Sequence, residues 1–269
     1  MDRDARAPAP SPREGYTAEQ VRAAERPLLE AGEPLMQRAA LALADEVSRL
    51  IATSPAASTP ATEAAGTAPP ARPLVVVLAG SGDNGGDALF AGAHLAARGA
   101  DVRIVAVGSR LHEQGATAAH EAGARDLDPD ADPDAFDRIV AVAEVIVDGI
   151  LGIGAAASPA LRGRAREVVA RVRALLGPDR LARSGRGPRH PLVVAVDLPS
   201  GISPDDGRVP DPTVLPADVT VTMGAVKAGL ILGPAVEFVG RVVLVDLGLG
   251  PGLAGVQPVV QSGRRTVLP

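Results

Sequence analysis

The sequence predicts an α/β protein in which a mostly parallel sheet lies between two layers of helices, preceded by N-terminal helices. From residue 74 to residue 246, short apolar stretches alternate with stretches of helical periodicity. This alternation is typical of a parallel sheet with helices on both faces. The apolar stretches are rich in valine, as in residues 74–79 (LVVVLA), and such continuous apolar runs indicate strands buried on both faces.

Two helices are predicted before the first strand. Residues 17–31 form the first, with Thr17 as its N-cap and Pro27 expected to break or kink it. Residues 33–52 form the second, because apolar side chains recur at helical spacing at Leu35, Ala39, Leu43 and Val47.

The remaining elements follow in order along the chain. The predicted strands cover residues 74–79, 101–107, 144–148, 192–197, 218–222 and 241–246. The predicted helices between them cover residues 87–98, 112–123, 133–143 and 160–176. One domain is therefore expected over residues 17–250. Four segments do not fit the alternation of strands and helices. They are a disordered N-terminal tail at 1–16, a low-complexity insertion at 53–73, a basic loop at 183–190 and a C-terminal tail at 251–269.

Composition excludes several classes of protein. The 269 residues contain no cysteine, which excludes disulfides, thiolate metal sites and cysteine nucleophiles. The net charge of −5 and the aromatic content of 1% argue against a nucleic-acid partner or an anionic membrane surface. No apolar run reaches the roughly 18 residues of a membrane span, and no secretory signal is visible. A soluble cytoplasmic protein is expected.

The first of four motifs that carry chemistry is the glycine-rich segment 80–87, GSGDNGGD, directly after a predicted strand. Its glycines let backbone N–H groups approach a phosphate or a dinucleotide closely. The spacing matches neither the redox dinucleotide fingerprint nor a P-loop. The alternative is an ordinary tight turn capped by Asp87.

The second and third motifs each place an aspartate at the end of a predicted strand. Asp148 precedes the glycine-rich loop 149–154, and Asp197 is followed three residues later by Ser200. A carboxylate buried there without a partner would cost several kcal/mol, so a cation or hydrogen-bond donors should face it. The alternatives are a helix cap for Asp148 and a plain turn for Asp197.

The fourth motif, TVTMGAVKAG, carries Lys227, the only lysine among 27 basic residues. A chain that otherwise uses arginine and keeps one lysine is expected to need a compact ammonium at that point. Compositional drift is the alternative explanation.

These polar residues follow four different strands of the predicted sheet. Ligands bind outside the carboxyl ends of parallel strands, near a switch in strand order. We therefore expect Asn84, Asp148, Asp197 with Ser200, and Lys227 to meet in one crevice. Amide, carboxylate and hydroxyl oxygens suit a hard cation, whereas nothing in the sequence suits zinc.

The four motifs, GSGDNGGDA, DGILGIG, VDLPSG and TVTMGAVKAG, resemble in this order those of the NAD(P)H-hydrate epimerase family, the YjeF N-terminal domain. The segment EPLMQRAALALADEV also resembles the N-terminal helix of that family. The resemblance covers about residues 17–250. It implies a Rossmann-like α/β/α sandwich and an isomerase that interconverts the R and S forms of hydrated NADH and NADPH (NADHX and NADPHX), a repair reaction. It also implies one bound potassium ion per subunit.

Carried over position by position, the resemblance implies a set of site residues. Potassium would be held by Asn84, Asp148 and Ser200. The substrate would contact Asp83, Asn84, Gly85, Gly86, Asp87, Gly152, Ile153, Gly154, Ala155, Ala156, Ala157, Ser158 and Asp197. Asp83 stands where the family has asparagine and Ala88 where it has glycine, and the extra charge of Asp83 lies where a pyrophosphate is expected.

The chemistry of such a reaction needs no redox cofactor. Acid-assisted loss of hydroxide from a carbon beside a ring nitrogen gives an iminium ion, to which water returns on the other face. A carboxyl group that moves a proton suffices. We therefore expect Asp197 to be catalytic, with Lys227 stabilising its carboxylate or contacting a phosphate.

The sequence is also compatible with two other functions. One is a non-catalytic binding or scaffold domain, although such a domain would be expected to lose the residues named above. The other is an NADP-dependent oxidoreductase, since residues 107–110 supply serine and arginine rather than an acid after the second strand. The expected partners are the small-molecule substrate, a second copy in a homodimer and a separate ADP- or ATP-dependent dehydratase of the same pathway.

Overall fold

The structure is a computed structural model, which describes residues 9–53, 72–177 and 191–261. Its helices are α1 (Ala18–Glu30), α2 (Leu35–Thr53), α3 (Asp83–Ala97), α4 (Glu113–Glu121), α5 (Pro133–Val142), α6 (Gly163–Leu176) and α7 (Gly250–Leu253). Its strands are β1 (Glu14–Tyr16), β2 (Leu74–Ala79), β3 (Asp101–Ala106), β4 (Arg125–Asp126), β5 (Val145–Gly149), β6 (Leu192–Val196), β7 (Val219–Met223), β8 (Val226–Lys227), β9 (Arg241–Val245) and β10 (Val260–Gln261).

Seven strands form the central sheet in the order β4-β3-β2-β5-β6-β7-β9. Every neighbouring pair in this sheet is parallel. The chain moves outward from β2 to β4, then returns and continues from β5 on the other side of β2. The strand order therefore reverses between β2 and β5, and a crevice opens at such a point.

Side chains of β2 alternate between the two faces of the sheet. Val75, Val77 and Ala79 join the apolar cluster that includes α2 and α3. Val76 and Leu78 join the cluster that includes α5 and α6. The sheet is thus buried on both sides, as strands with continuous apolar sequences require, and the predicted three-layer α/β/α fold is confirmed.

Helix α1 is capped by Thr17 as predicted, in a capping box with Gln20. Pro27 was expected to break or kink this helix, and it does not break it, because the helix continues to Glu30. Pro27 lies close to the end of the helix, so it removes one hydrogen bond, and its own carbonyl still accepts from the N–H of Ala31.

The terminal tails are shorter than predicted. Within the expected disordered tail, β1 pairs in parallel with β8 and antiparallel with β10, and Tyr16 is buried. Within the expected C-terminal tail, α7 and β10 are ordered elements, and Leu253 packs with Tyr16 in a small apolar cluster. The reason is that this second, three-stranded sheet joins segments far apart in the chain, and sequence periodicity does not report such pairing.

Helix α3 begins four residues earlier than predicted, at Asp83 rather than residue 87. The helix propensity of glycine is low, which favoured a loop over Gly85 and Gly86. The structure needs those glycines inside the helix: a Cβ on Gly85 would lie 2.1 Å from the carbonyl oxygen of Gly80. Close packing of the helix against the loop after β2 therefore overrides propensity.

Two predictions concern segments that the structure does not describe. The basic loop at 183–190 and almost all of the insertion at 53–73 fall in the gaps between the described ranges. Within the described ranges, no helix combines the length and the apolar character needed to cross a bilayer.

Phe136 is the largest fully buried side chain of the described chain, and the Arg171 guanidinium lies 5.1 Å from its ring centre. We expect Phe136→Ala to lower the free energy of unfolding by about 3–5 kcal/mol, because it leaves a cavity between α5 and the sheet. Urea denaturation measures the change. Val142→Ala, on the same helix at a side chain that is 69% exposed, should change stability by less than about 0.5 kcal/mol. Equal effects of the two substitutions would contradict this role for Phe136.

Candidate active site at the carboxyl edge of the sheet

A cavity of about 1070 Å³ opens at the carboxyl ends of β2, β5 and β6. Its walls come from the loop after β2, the start of α3, the loop after β5, and α1. The polar and charged residues that line it are Arg22, Glu25, Arg26, Ser81, Asp83, Asn84, Asp87, Arg110, Ser158, Arg162, Asp197 and Lys227. The cavity therefore lies at the reversal of strand order, where an open α/β sheet binds its ligands.

Asp197 and Lys227 form a buried ion pair in this cavity. Lys227 is 1% exposed, and its Nζ donates to Asp197 Oδ1 and to the carbonyl oxygen of Met223, at 2.7 Å. The same carboxylate oxygen accepts from the N–H of Met223 at 3.1 Å. Asp197 has φ +67°, and it is the one non-glycine residue with positive φ in the described chain. Because this conformation is unfavourable for a side-chain-bearing residue, the surrounding bonds must hold the carboxylate in place.

Asp148 is fully buried and is held by Ser200. The Ser200 hydroxyl donates to Asp148 Oδ1 at 2.6 Å, and the Ser200 N–H donates to Oδ2 at 2.9 Å. Burial raises the pKa of Asp148, and the two bonds from Ser200 oppose that rise. The hydrogen-bond donors that a buried carboxylate requires are thus supplied by the loop after β6.

Asn84 belongs to the same hydrogen-bonded cluster. Its Nδ2 donates to the carbonyl oxygens of Val196, at 2.7 Å, and Leu151, at 3.1 Å. The N–H of Leu151 in turn donates to Ser200 Oγ at 2.9 Å. Asn84, Asp148 and Ser200, which come from three separate motifs, are therefore connected through Leu151.

Two further carboxyl groups lie beside the ion pair. Burial raises the pKa of Glu25 on α1, and the negative charges of Asp197 and Asp83 add to this rise, while Lys227 opposes it. The pKa of Asp87 lies well above its usual range because of burial, with further contributions from the charges of Asp197, Asp83 and Glu25. These carboxyl groups thus share the cavity with one ammonium, which is bound to Asp197, and with the guanidinium groups of four arginines.

Glu25 is a candidate site residue that the sequence analysis missed. Hydrophobic periodicity predicts α1 but not the element against which it packs. The structure turns this face of α1 toward the cavity, and Arg22 donates to the carbonyl oxygen of Ile153 at 2.5 Å. That hydrogen bond connects α1 to the loop after β5.

Most of the residues predicted to contact substrate line the cavity: Asp83, Asn84, Asp87, Gly152, Ile153, Gly154, Ala155, Ser158 and Asp197. Four others, Gly85, Gly86, Ala156 and Ala157, are not among its lining residues. The two glycines instead permit close packing, since a Cβ on Gly86 would lie 3.0 Å from the side chain of Met36. Asp148 and Ser200 are likewise not among the lining residues and meet the cavity only through Leu151 and Asn84.

Comparison with known proteins identifies the family. The profile described as "YjeF-related protein N-terminus" matches residues 32–229. The protein named NAD(P)H-hydrate epimerase of Clavibacter sepedonicus is 50% identical over 256 residues, which cover 93% of this chain and 96% of the relative. The chain belongs to the YjeF N-terminal, NAD(P)H-hydrate epimerase family.

Other members of the YjeF N-terminal family differ in length. The NAD(P)H-hydrate epimerase of Microbacterium testaceum is 46% identical over 92% of this chain and 83% of its own length. A protein of Mycobacterium tuberculosis (strain ATCC 25618 / H37Rv), named bifunctional NAD(P)H-hydrate repair enzyme Nnr, is 36% identical over 87% of this chain but only 41% of its own length. Among solved structures, yeast ynu0, YNL200c, has a TM-score of 0.58 at 19% identity over 84% of each chain, which supports the fold.

The Asp197–Lys227 pair leads to a prediction about stability. Lys227→Met should lower the free energy of unfolding by about 3–5 kcal/mol, because it leaves a buried carboxylate without its ammonium. Adding Asp197→Asn should recover most of this loss, since no uncompensated charge then remains. Urea denaturation of both single variants and the double variant measures the coupling. Strictly additive effects would show that the two groups do not stabilise each other.

Proposed function

We propose that this chain interconverts the R and S forms of NADHX and NADPHX, as an isomerase that repairs damaged nicotinamide nucleotides. The observation that carries the proposal is the convergence of Asn84, Asp197 and Lys227, from three separate motifs, on one cavity at the reversal of strand order. Membership of a family whose similar relatives are named NAD(P)H-hydrate epimerases supports it.

The cavity contains the groups that this reaction needs. Epimerisation inverts a carbon that carries a hydroxyl group beside a ring nitrogen. The hydroxyl leaves as water after receiving a proton, the nitrogen lone pair forms an iminium ion, and water returns on the opposite face. The carboxylate of Asp197, fixed by Lys227 and the N–H of Met223, is placed in the cavity to exchange a proton with that water. Its negative charge also stabilises the cationic intermediate.

Arginine side chains supply the positive charge that a pyrophosphate requires. Arg22, Arg26, Arg110 and Arg162 all line the cavity. Guanidinium groups bind phosphate oxygens with paired hydrogen bonds. These cations offset the charge of Asp83, which replaces the asparagine of the family motif and begins α3 at the positive end of the helix.

The proposal includes one potassium ion per subunit, held by Asn84, Asp148 and Ser200. The carbonyl oxygens of Leu151 and Val196 converge on the Asn84 side chain. An amide, a hydroxyl, a carboxylate and two carbonyls together form an oxygen-rich set, which suits a hard cation. When bound, the ion would supply positive charge beside Asn84, which lines the cavity.

Gly152 supports this assignment of ligands. A Cβ at this position would lie 2.6 Å from Asn84 Oδ1. The space beside this amide oxygen therefore depends on the absence of a side chain. A glycine is thus required where the loop after β5 passes the proposed cation site.

Three further proposals rest on family membership. The chain is proposed to form a homodimer and to be located in the cytoplasm. A separate ADP- or ATP-dependent dehydratase is proposed to act in the same pathway. The length of the bifunctional repair enzyme of Mycobacterium tuberculosis supports the last of these, because this chain matches only 41% of it.

Asp197→Asn should abolish catalysed epimerisation, because the amide cannot exchange a proton, and the loss of kcat should be about 100-fold or more. One purified epimer of NADHX is incubated with the protein, and the other epimer is followed by chromatography against a reaction without protein. Asp134→Asn, at an exposed position on α5, is the matched control and should leave the rate unchanged. An unchanged rate in Asp197→Asn would exclude Asp197 from catalysis.

Activity should also depend on potassium. Exchange into a buffer that contains only tetramethylammonium as its cation should lower the rate, and added potassium should restore it, because the larger organic cation cannot enter the oxygen-lined site.

Gly152→Ala should raise the potassium concentration needed for half-maximal rate by about tenfold or more, since the methyl group displaces Asn84 Oδ1. Full activity without potassium would contradict the site.

A further inference from the structure

Asp87 has an unusual environment in this molecule. Among the residues that the structure describes, Asp87 Oδ1 is the one buried side-chain polar atom without a hydrogen-bond partner. Asp87 lies on α3 and lines the same cavity as Asp197 and Lys227. Asp87 as a whole is half-buried, but a buried carboxylate oxygen without a donor is costly when charged, which favours the protonated form.

The charges around Asp87 have the same effect. Glu25 faces it from α1, Asp83 from the start of α3, and Asp197 from the end of β6. Lys227, on β8, is the one ammonium in the group, and its Nζ is bound to Asp197. Burial and the three neighbouring carboxylates together raise the pKa of Asp87 well above its usual range. Burial and these charges therefore favour the protonated form of Asp87, whereas Asp197 receives the hydrogen bond of the ammonium.

Acid–base catalysis requires one group that donates a proton and another that accepts one. We propose that Asp87 is the general acid of the epimerisation, donating the proton with which the hydroxyl group leaves as water, while Asp197 accepts the proton of the incoming water. This inference rests on the proposed function and divides between two residues a role that Asp197 would otherwise fill alone.

The step balances in atoms and electrons. The proton of Asp87 passes to the hydroxyl oxygen, the carbon–oxygen bond breaks, and its electron pair leaves with water. The lone pair of the ring nitrogen forms the iminium double bond. When a water oxygen bonds to the carbon on the opposite face, that pair returns to nitrogen and Asp197 takes the released proton. One proton has then moved from Asp87 to Asp197, and exchange with solvent restores the starting state.

Asp87→Asn tests this assignment, because asparagine has nearly the same shape and can donate a hydrogen bond but cannot release a proton. With one purified epimer of NADHX as substrate, kcat should fall by about 100-fold or more, while KM should change by less than about threefold. In the unsubstituted protein, kcat should fall as the pH rises through the raised pKa of Asp87. Asp134→Asn, on the opposite face of the sheet, is the control and should match the unsubstituted protein.

The stability of the same variant provides a readout that does not depend on activity. A carboxyl group whose pKa is raised on folding stabilises the fold fully below its unfolded pKa of about 4 and loses that contribution as pH rises. Asp87→Asn should therefore unfold at a higher urea concentration than the unsubstituted protein at pH 7. The difference should disappear near pH 4.

The outcomes separate the two proposals. An unsubstituted protein that does not epimerise NADHX would remove the proposed function, whatever Asp87 does. If it is active, retention of kcat by Asp87→Asn would show that Asp87 does not donate the proton, and a rise in KM alone would show that it binds substrate instead. If Asp87→Asn and the unsubstituted protein have the same urea midpoint at pH 7 as well as at pH 4, Asp87 does not hold a proton. That result would overturn the inference.

Discussion

The interaction on which the site depends is the pairing of one buried ammonium with one of several carboxylates. Lys227 is almost completely enclosed, and its charge goes to Asp197. Glu25 and Asp87 remain in the same cavity without an equivalent partner. Because the ammonium binds one carboxylate, chemically similar groups have different electrostatic environments. The proposed division of roles between Asp87 and Asp197 depends on this difference in environment.

The sheet explains why these groups meet. All neighbouring strands of the central sheet are parallel, so the loops after β2, β5 and β6 emerge at the same edge. The reversal of strand order between β2 and β5 separates those loops enough to leave a cavity. The fold therefore fixes the position of the site, and the side chains in the loops determine its chemistry.

Much of this organisation was predictable from sequence. Apolar, valine-rich runs identify six of the seven strands of the central sheet, all but β4, which has only two residues, both exposed and polar. An aspartate at the end of β5 or β6 marks the carboxyl edge of the sheet. Proximity across the chain was not predictable. Glu25 belongs to an ordinary amphipathic helix, and no local pattern reveals that α1 turns toward the cavity. The early start of α3 was also hidden, because Gly85 and Gly86 disfavour a helix locally and are required by its close packing.

The small sheet formed by β10, β1 and β8 gives the site an unusual dependence on chain closure. Tyr16 is in register with Lys227, and the other edge of β1 pairs with Gln261. The small sheet therefore needs residues near position 15, position 226 and position 260 at the same time. The strand that carries the ammonium is therefore held by segments from both ends of the described chain, and a truncation at either end would loosen the support of Lys227.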